Sequence, residues 1–217
     1  MSVQFSFMLS YILLLTTGVI CFIEALRTNS PMIRHIFNLE TCISIVAGYF
    51  YYLFIEKLKA YELKNQPINW KEMNEIRYLD WSITTPMMLI VLCAALAYNI
   101  KLTVHFSVIV IVLILNYVML GLGYLGENNT LDKCIAAGTS FIAFFMMYLV
   151  IFYHYIRPKY NLPNYVFYSL YLVVWTAYGL VYFLEEETKN ICLNVLDVIS
   201  KCFIGLGLWF YYTKIIV

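Results

Sequence analysis

Seven apolar stretches decide what this chain can fold into. They run approximately Phe5–Ala25, Ile36–Leu58, Ile76–Tyr98, Leu102–Leu125, Leu131–Ile156, Asn164–Leu184 and Ile191–Ile216. Each is near the roughly 20 residues that a helix needs to cross a bilayer. Hydrocarbon offers no water to backbone amides, so a spanning segment must satisfy its own hydrogen bonds as a helix. Composition agrees: 63% of the 217 residues are hydrophobic and only 12% are charged, which no ordinary soluble domain matches. The links are short, so neighbouring helices should pack antiparallel. Residues 1–217 therefore read as one domain, an all-α bundle of seven transmembrane helices. The first stretch reads as a retained helix, because no basic run precedes it and no small-residue cleavage site follows. The longest link, Lys59 to Glu75, is charged and contains Pro67, with room for a hairpin or a short interfacial piece.

Other classes fall away quickly. A formal charge of +1 provides no basic face for nucleic acid. The six cysteines form no CxxC or Cys/His cluster, so neither a metal site nor a disulfide framework is indicated, and no pattern of enzymatic catalysis is present. Lipid is the expected surrounding. The pattern leaves a homo-oligomer open. With the N-terminus placed outside and the C-terminus in the cytoplasm, six Lys/Arg fall in links on each side, so the positive-inside rule does not decide orientation.

Charged residues inside spans are costly, and each is a pointer to function. Lys201 lies twelve residues past Lys189 and thirteen before Lys214. At 1.5 Å per residue it is about 18 Å from either, too deep to snorkel out easily. Asn190, Asn194, Asp197 and Lys201 follow at intervals of four, three and four, one polar line on a helix. Past Lys201 the line continues through Gly205 and Leu208 and reads as dry. Two readings of this segment stand side by side. Lys201 with Asp197 is a structural ion pair, or Lys201 is a reactive amine able to condense with an aldehyde. On the third span, Arg77, Asp80 and Thr84 share a face, and the Arg one turn away favours an ionised Asp80. Pro86 follows. On the second span Glu40, Ser44, Gly48 and Tyr51 share a face. Glu40 reads either as an interfacial carboxylate bonded to a neighbouring helix or to Arg27, Arg34 or His35, or as part of an ion path. The first span adds a mildly polar face of Ser10, Thr17, Cys21 and Glu24.

These residues carry a resemblance. Arg77-Tyr78-Leu79-Asp80-Trp81, then Thr84-Thr85-Pro86 on a third helix, with Asp197 four residues before Lys201 on a seventh, is similar to the microbial (type 1) rhodopsins. The likeness covers the whole chain. It implies retinal, all-trans, held as a Schiff base on Lys201, with Asp80 and Asp197 as counterions and Arg77 and Thr84 in support. By motif match, Tyr78, Trp81, Met88, Met119, Gly123, Trp175 and Tyr178 would line the pocket. Thr85 and Asn116 would link helices three and four. Tyr182 stands on helix six where the family usually has a tryptophan, and Gly179 where it usually has a proline. Helix five offers no secure match.

Departures from the family pattern bear on function. Val91 occupies the position of the inner carboxyl donor of outward proton pumps, and Lys189 lies near their release carboxylate. The chain instead has Glu40, Asn190 and Asn194. This combination resembles the short giant-virus rhodopsins of the light-gated cation channel group. The resulting expectation is a photoreceptor that passes cations between helices one, two, three and seven. Glu40 with Ser44 would form an inner constriction, well away from Lys201. Ser10, Lys189, Asn190 and Asn194 would form outer ones, where the charge of Lys189 opposes cation entry. The rivals are an outward proton pump, a sensory rhodopsin with a separate transducer, and a retinal-free transporter.

Overall fold

The structure is a computed structural model and describes residues 2–215. Its seven helices begin with α1 (Val3–Arg27), α2 (Pro31–Leu63), α3 (Trp70–Asn99), α4 (Phe106–Glu127), α5 (Lys133–Ile151) and α6 (Leu162–Val181). The seventh runs without a break from α7 (Glu186–Asp197) through a π turn at Val198–Phe203 into α8 (Ile204–Phe210) and a second π turn at Tyr211–Ile215. Six of the seven are long and apolar enough to cross a membrane; α6 is diluted by its tyrosines. Among the described residues there is no strand.

Local chemistry sets the ends. Ser2 accepts from the amide of Phe5 at 3.3 Å and caps α1. Pro31 opens α2, where its missing amide costs nothing. Asp132 caps α5 by accepting from the amides of Cys134 and Ile135 at 2.9 and 3.0 Å. Glu186 and Glu187 sit in the first turn of α7, favoured by the helix dipole.

The largest differences from the sequence reading lie in the links and at the end of α6. The 59–75 link holds no hairpin or separate interfacial piece. Instead α2 continues to Leu63 and α3 begins at Trp70, and Lys57 and Tyr61 both bond to Glu72, so polar pairing replaces apolarity as the reason to stay helical. Residues 102–105 lie outside α4, because Lys101 adopts a positive φ of 59° and turns the chain. Tyr182, expected on helix six, falls in the turn after α6, its amide bonded to the carbonyl of Tyr178 at 3.1 Å.

The chain divides into two compact units: residues up to Asp80 with those from Val174 onward, and Trp81–Val173. In the first, α1, α2 and the seventh helix enclose Phe7, Leu14, Ala47, Tyr51, Phe54, Met73, Val198 and Cys202. Gly18 permits the approach of α1 to α2, since a Cβ there would stand 3.2 Å from that of Ser44. In the second, α4 and α5 pack together, and Asn116 Nδ2 donates to Thr85 Oγ1 at 3.0 Å, joining α4 to α3.

Asn164 ties α6 into this second unit. It is fully buried; its Nδ2 donates to the carbonyl of Leu96 at 2.9 Å, and its Oδ1 accepts from Asn99 at 2.8 Å. Asn164→Ala would strand the buried carbonyl of Leu96, at about 1–3 kcal/mol, and remove the bond to Asn99. The expected result is a lower thermal midpoint in detergent. An unchanged midpoint would show that these groups find other partners.

Candidate functional site

The centre of the first unit is a buried lysine facing two carboxylates. Lys201, in the π turn of the seventh helix, is 2% exposed and Asp80 and Asp197 are fully buried. Lys201 Nζ donates to Asp80 Oδ2 at 2.8 Å and to Asp197 Oδ2 at 3.4 Å. A π turn adds a residue to one turn of helix and is frequent at functional positions.

Asp197 has further partners. Tyr178 donates to its Oδ1 at 2.7 Å and lies 2.8 Å from Ser200 Oγ. Tyr51 donates to its Oδ2 at 2.9 Å, and Arg77 Nη1 stands 3.7 Å from the same oxygen. Tyr178, expected as a pocket wall, thus also belongs to the charge network. A buried charge persists only when paired and hydrogen-bonded, and Asp197 meets that requirement through two tyrosines and two cations.

From Arg77 the network continues along the seventh helix. Its Nη2 donates to Asn190 Oδ1 at 2.9 Å and to Asn194 Oδ1 at 2.8 Å. The guanidinium lies 5.5 and 5.0 Å from the ring centres of Phe7 and Phe54, close enough for cation–π attraction. Asn194 Nδ2 donates to Ser6 Oγ at 2.8 Å, and Ser10 Oγ donates to the carbonyl of Asn194 at 3.3 Å. The structure therefore brings together Ser10, Arg77, Asp80, Tyr178, Asn190, Asn194, Asp197 and Lys201.

Lys189 requires a correction. It was expected to present a charge that opposes cations. It is 2% exposed, and its Nζ donates to Glu186 Oε1 at 2.7 Å. Glu186 also accepts from Asn74 Nδ2 at 3.0 Å. The lysine is neutralised by its own helix, three residues back.

The inner half also differs from expectation. The line past Lys201 is not dry, because a carboxyl from α2 approaches it at Gly205. A Cβ built at Gly205, one turn beyond Lys201, would stand 2.9 Å from Glu40 Oε2 and 3.4 Å from Thr17 Cγ2. Glu40 is 2% exposed and makes no hydrogen bond or ion pair among the described residues, so the expected link to Arg27, Arg34 or His35 is absent. Arg34 instead donates to the carbonyl of Thr28 at 2.8 Å. Ser44, one turn from Glu40, is fully buried and its hydroxyl has no partner. Trp209 Nε1 donates to Glu24 Oε2 at 3.3 Å. Glycines hide such contacts from a reading by helix face, because a missing side chain looks apolar.

The remaining pocket candidates divide between the units. Tyr78 is half-buried and Trp175 is buried in the first. In the second, Thr84, Thr85 and Met88 are buried, and Trp81, Met119 and Gly123 are half-buried. The carbonyl of Met119 accepts from Ser140 Oγ at 3.1 Å. Sequence reasoning did not assign Ser6, Tyr51, Ser200, Glu186 or Gly205. Only Tyr51 left a signal, its place on the Glu40 face.

Comparison with known proteins agrees with this geometry. The family described as bacteriorhodopsin-like protein matches residues 1–215. A search of curated proteins finds no match. Among solved structures, the viral rhodopsin OLPVRII superposes with a TM-score of 0.90 at 42% identity, covering 98% of each chain. A blue light-absorbing proteorhodopsin from Med12 matches with a TM-score of 0.73 at 24% identity, over 95% of this chain and 94% of that one. A light-driven proton pump from Leptosphaeria maculans matches with a TM-score of 0.76 at 18% identity, over 98% and 96%; these last two likenesses speak to fold alone. The chain belongs to the bacteriorhodopsin-like family of multi-pass membrane proteins, which bind retinal as a Schiff base on a lysine.

Proposed function

We propose that this protein is a light-gated cation channel, one domain over 1–217, with retinal on Lys201 and the N-terminus outside. The observation that carries the reading is a chain of buried polar side chains through the first unit. It passes from Ser6, Ser10, Asn190 and Asn194 through Arg77, Tyr51 and Asp197 to Lys201; past the lysine, Glu40 and Ser44 are buried polar groups not bonded to that chain among the described residues. Short polar constrictions along such a line are how a helical pore selects and gates.

The residues fit the cofactor. Lys201 is a buried amine at mid-span, and Asp80 and Asp197 supply two carboxylates within 3.4 Å to balance a cation there. Retinal, when bound, supplies a light-driven isomerisation. Everything else falls to the protein. Asp80 and Asp197 hold the positive charge at the Lys201 nitrogen, and Tyr51 and Tyr178 hold Asp197 in place. Arg77, bonded to both asparagines, closes the outer half. Any displacement of the seventh helix must loosen Ser6, Ser10, Tyr51 and Arg77 together, because all four bond to Asn194. Neutralisation of Lys189 by Glu186 removes an electrostatic objection to cation entry. Trp81, Thr84, Met88, Met119, Gly123 and Trp175 would contact the polyene, and Thr85 with Asn116 would brace helices three and four. Tyr182, in the turn after α6, keeps its pocket assignment in this reading.

The 2.8 Å contact between Lys201 and Asp80 also favours a second reading, an outward proton pump with Asp80 as acceptor. Voltage separates the two. The channel reading expects light-evoked current that reverses sign at a voltage set by the cation gradient. Current in one direction at every voltage, abolished by Asp80→Asn, would establish the pump instead.

Three variants test this reading. Lys201→Ala, purified from cells supplied with all-trans retinal, should have no visible absorption band; a retained band would move the attachment elsewhere. Asp80→Asn should shift the visible band to the red, because removing a nearby anion destabilises the charge at Lys201 in the ground state. An unshifted spectrum would leave Asp197 as the sole counterion. Glu40→Gln should change current size or cation selectivity, since it removes the inner carboxyl group, and unchanged currents would take Glu40 off the path.

A further inference from the structure

Glu40 has an unusual seat. It is 2% exposed and without a hydrogen bond or ion pair among the described residues. Its Oε2 approaches the seventh helix at a position where only a hydrogen projects. A Cβ at Gly205 would stand 2.9 Å from Oε2 and 3.6 Å from Cδ of the same carboxyl. Real Cβ atoms are not found at that shorter distance from an oxygen, so a methyl there must push the carboxyl away. Thr17 of α1 closes another side, 3.4 Å from the same point. The thiols of Cys21 on α1 and Cys202 on the seventh helix lie within electrostatic reach of Glu40. Among the described residues no Lys or Arg pairs with it. Its position is therefore set by shape, not by a bond.

The absent side chain is specific to this position. Gly207, two residues on, has nothing within 4 Å of where its Cβ would be. Gly205 is four residues past Lys201, one helical turn, and the intervening backbone includes the π turn that ends at Phe203.

We propose that Gly205 is a positioning residue that admits the Glu40 carboxyl against the seventh helix, so that movement of that helix at Lys201 is passed directly to Glu40. The inference rests on the reading of Lys201 as the retinal lysine. It does not depend on whether current flows through a channel or a pump. A rigid helix moving at Lys201 carries Gly205 with it. Glu40, held by contact alone, follows or is released without breaking any hydrogen bond. No diffusing messenger between the lysine and the inner carboxyl is then required.

The test uses the full-length protein with retinal bound. Light-minus-dark infrared spectra in the carbonyl-stretch region of carboxylic acids are recorded for wild type and Glu40→Gln, which assigns the Glu40 band. Gly205→Ala should shift that band or abolish it, and Gly207→Ala should leave it in place. Current recordings then complete a double-mutant cycle. Gly205→Ala should alter light-evoked current in the wild-type background and have no further effect in a Glu40→Ala background, where the atom it would strike is gone. A wild-type spectrum without a Glu40 band would overturn the proposal, and so would an unshifted band in Gly205→Ala. An undiminished Gly205→Ala effect in the Glu40→Ala background would overturn it by assigning the effect to the backbone around Lys201. Loss of the visible band in Lys201→Ala distinguishes these failures from failure of the retinal assignment.

Discussion

Everything in the first unit depends on keeping a charged amine inside a membrane-spanning helix. An isolated buried ammonium is too costly to persist. Asp80 and Asp197 meet it at 2.8 and 3.4 Å, and those carboxylates then need partners of their own. Tyr51, Tyr178 and Arg77 are the answer for Asp197. Arg77 is a second buried cation, and it requires Asn190, Asn194 and the faces of Phe7 and Phe54. Each polar group brought inside demands the next. Removing one partner from such a network costs about 3–5 kcal/mol, because it strands a charge.

The two sides of Lys201 are held in physically different ways. Toward Asn190, side chains are locked by hydrogen bonds that converge on Asn194 and Asp197. A densely bonded network of this kind resists small displacements. Toward Gly205 the polar groups are sparse. Ser44 Oγ has no partner, and Glu40 is positioned by van der Waals contact. Such an arrangement can shift with little loss of bonding energy. The protein thus pairs a stiff half toward Asn190 with a compliant half toward Gly205.

The second unit is organised by other means. Apart from the Thr85–Asn116 and Asn164 bonds, α4 and α5 present large apolar side chains outward, among them Ile111, Ile114, Val118, Phe145, Met146 and Leu149. That surface suits lipid, and membership of a membrane family gives it one. No buried cation comparable to Lys201 or Arg77 occurs there among the described residues, so packing and a few amide bonds carry the unit.

The amino-acid sequence alone determined the number of helices, their approximate limits and the identity of the charged centre. Apolar runs of bilayer length and single charges within them are local facts, and Asp197 one turn from Lys201 is a consequence of helical pitch. The motif around Arg77 and Asp80 placed the second carboxylate. Only tertiary structure decided what those charges touch. Nothing in the residue pattern indicates that Tyr51 bonds to Asp197 across 146 positions, or that Lys189 is cancelled by Glu186 rather than left to repel cations. It was misleading at Gly205, where the absence of a side chain read as dryness and the fold used the space for a carboxyl from α2. A helix-face pattern records what a residue contributes, and it cannot record what a neighbouring helix places in the gap.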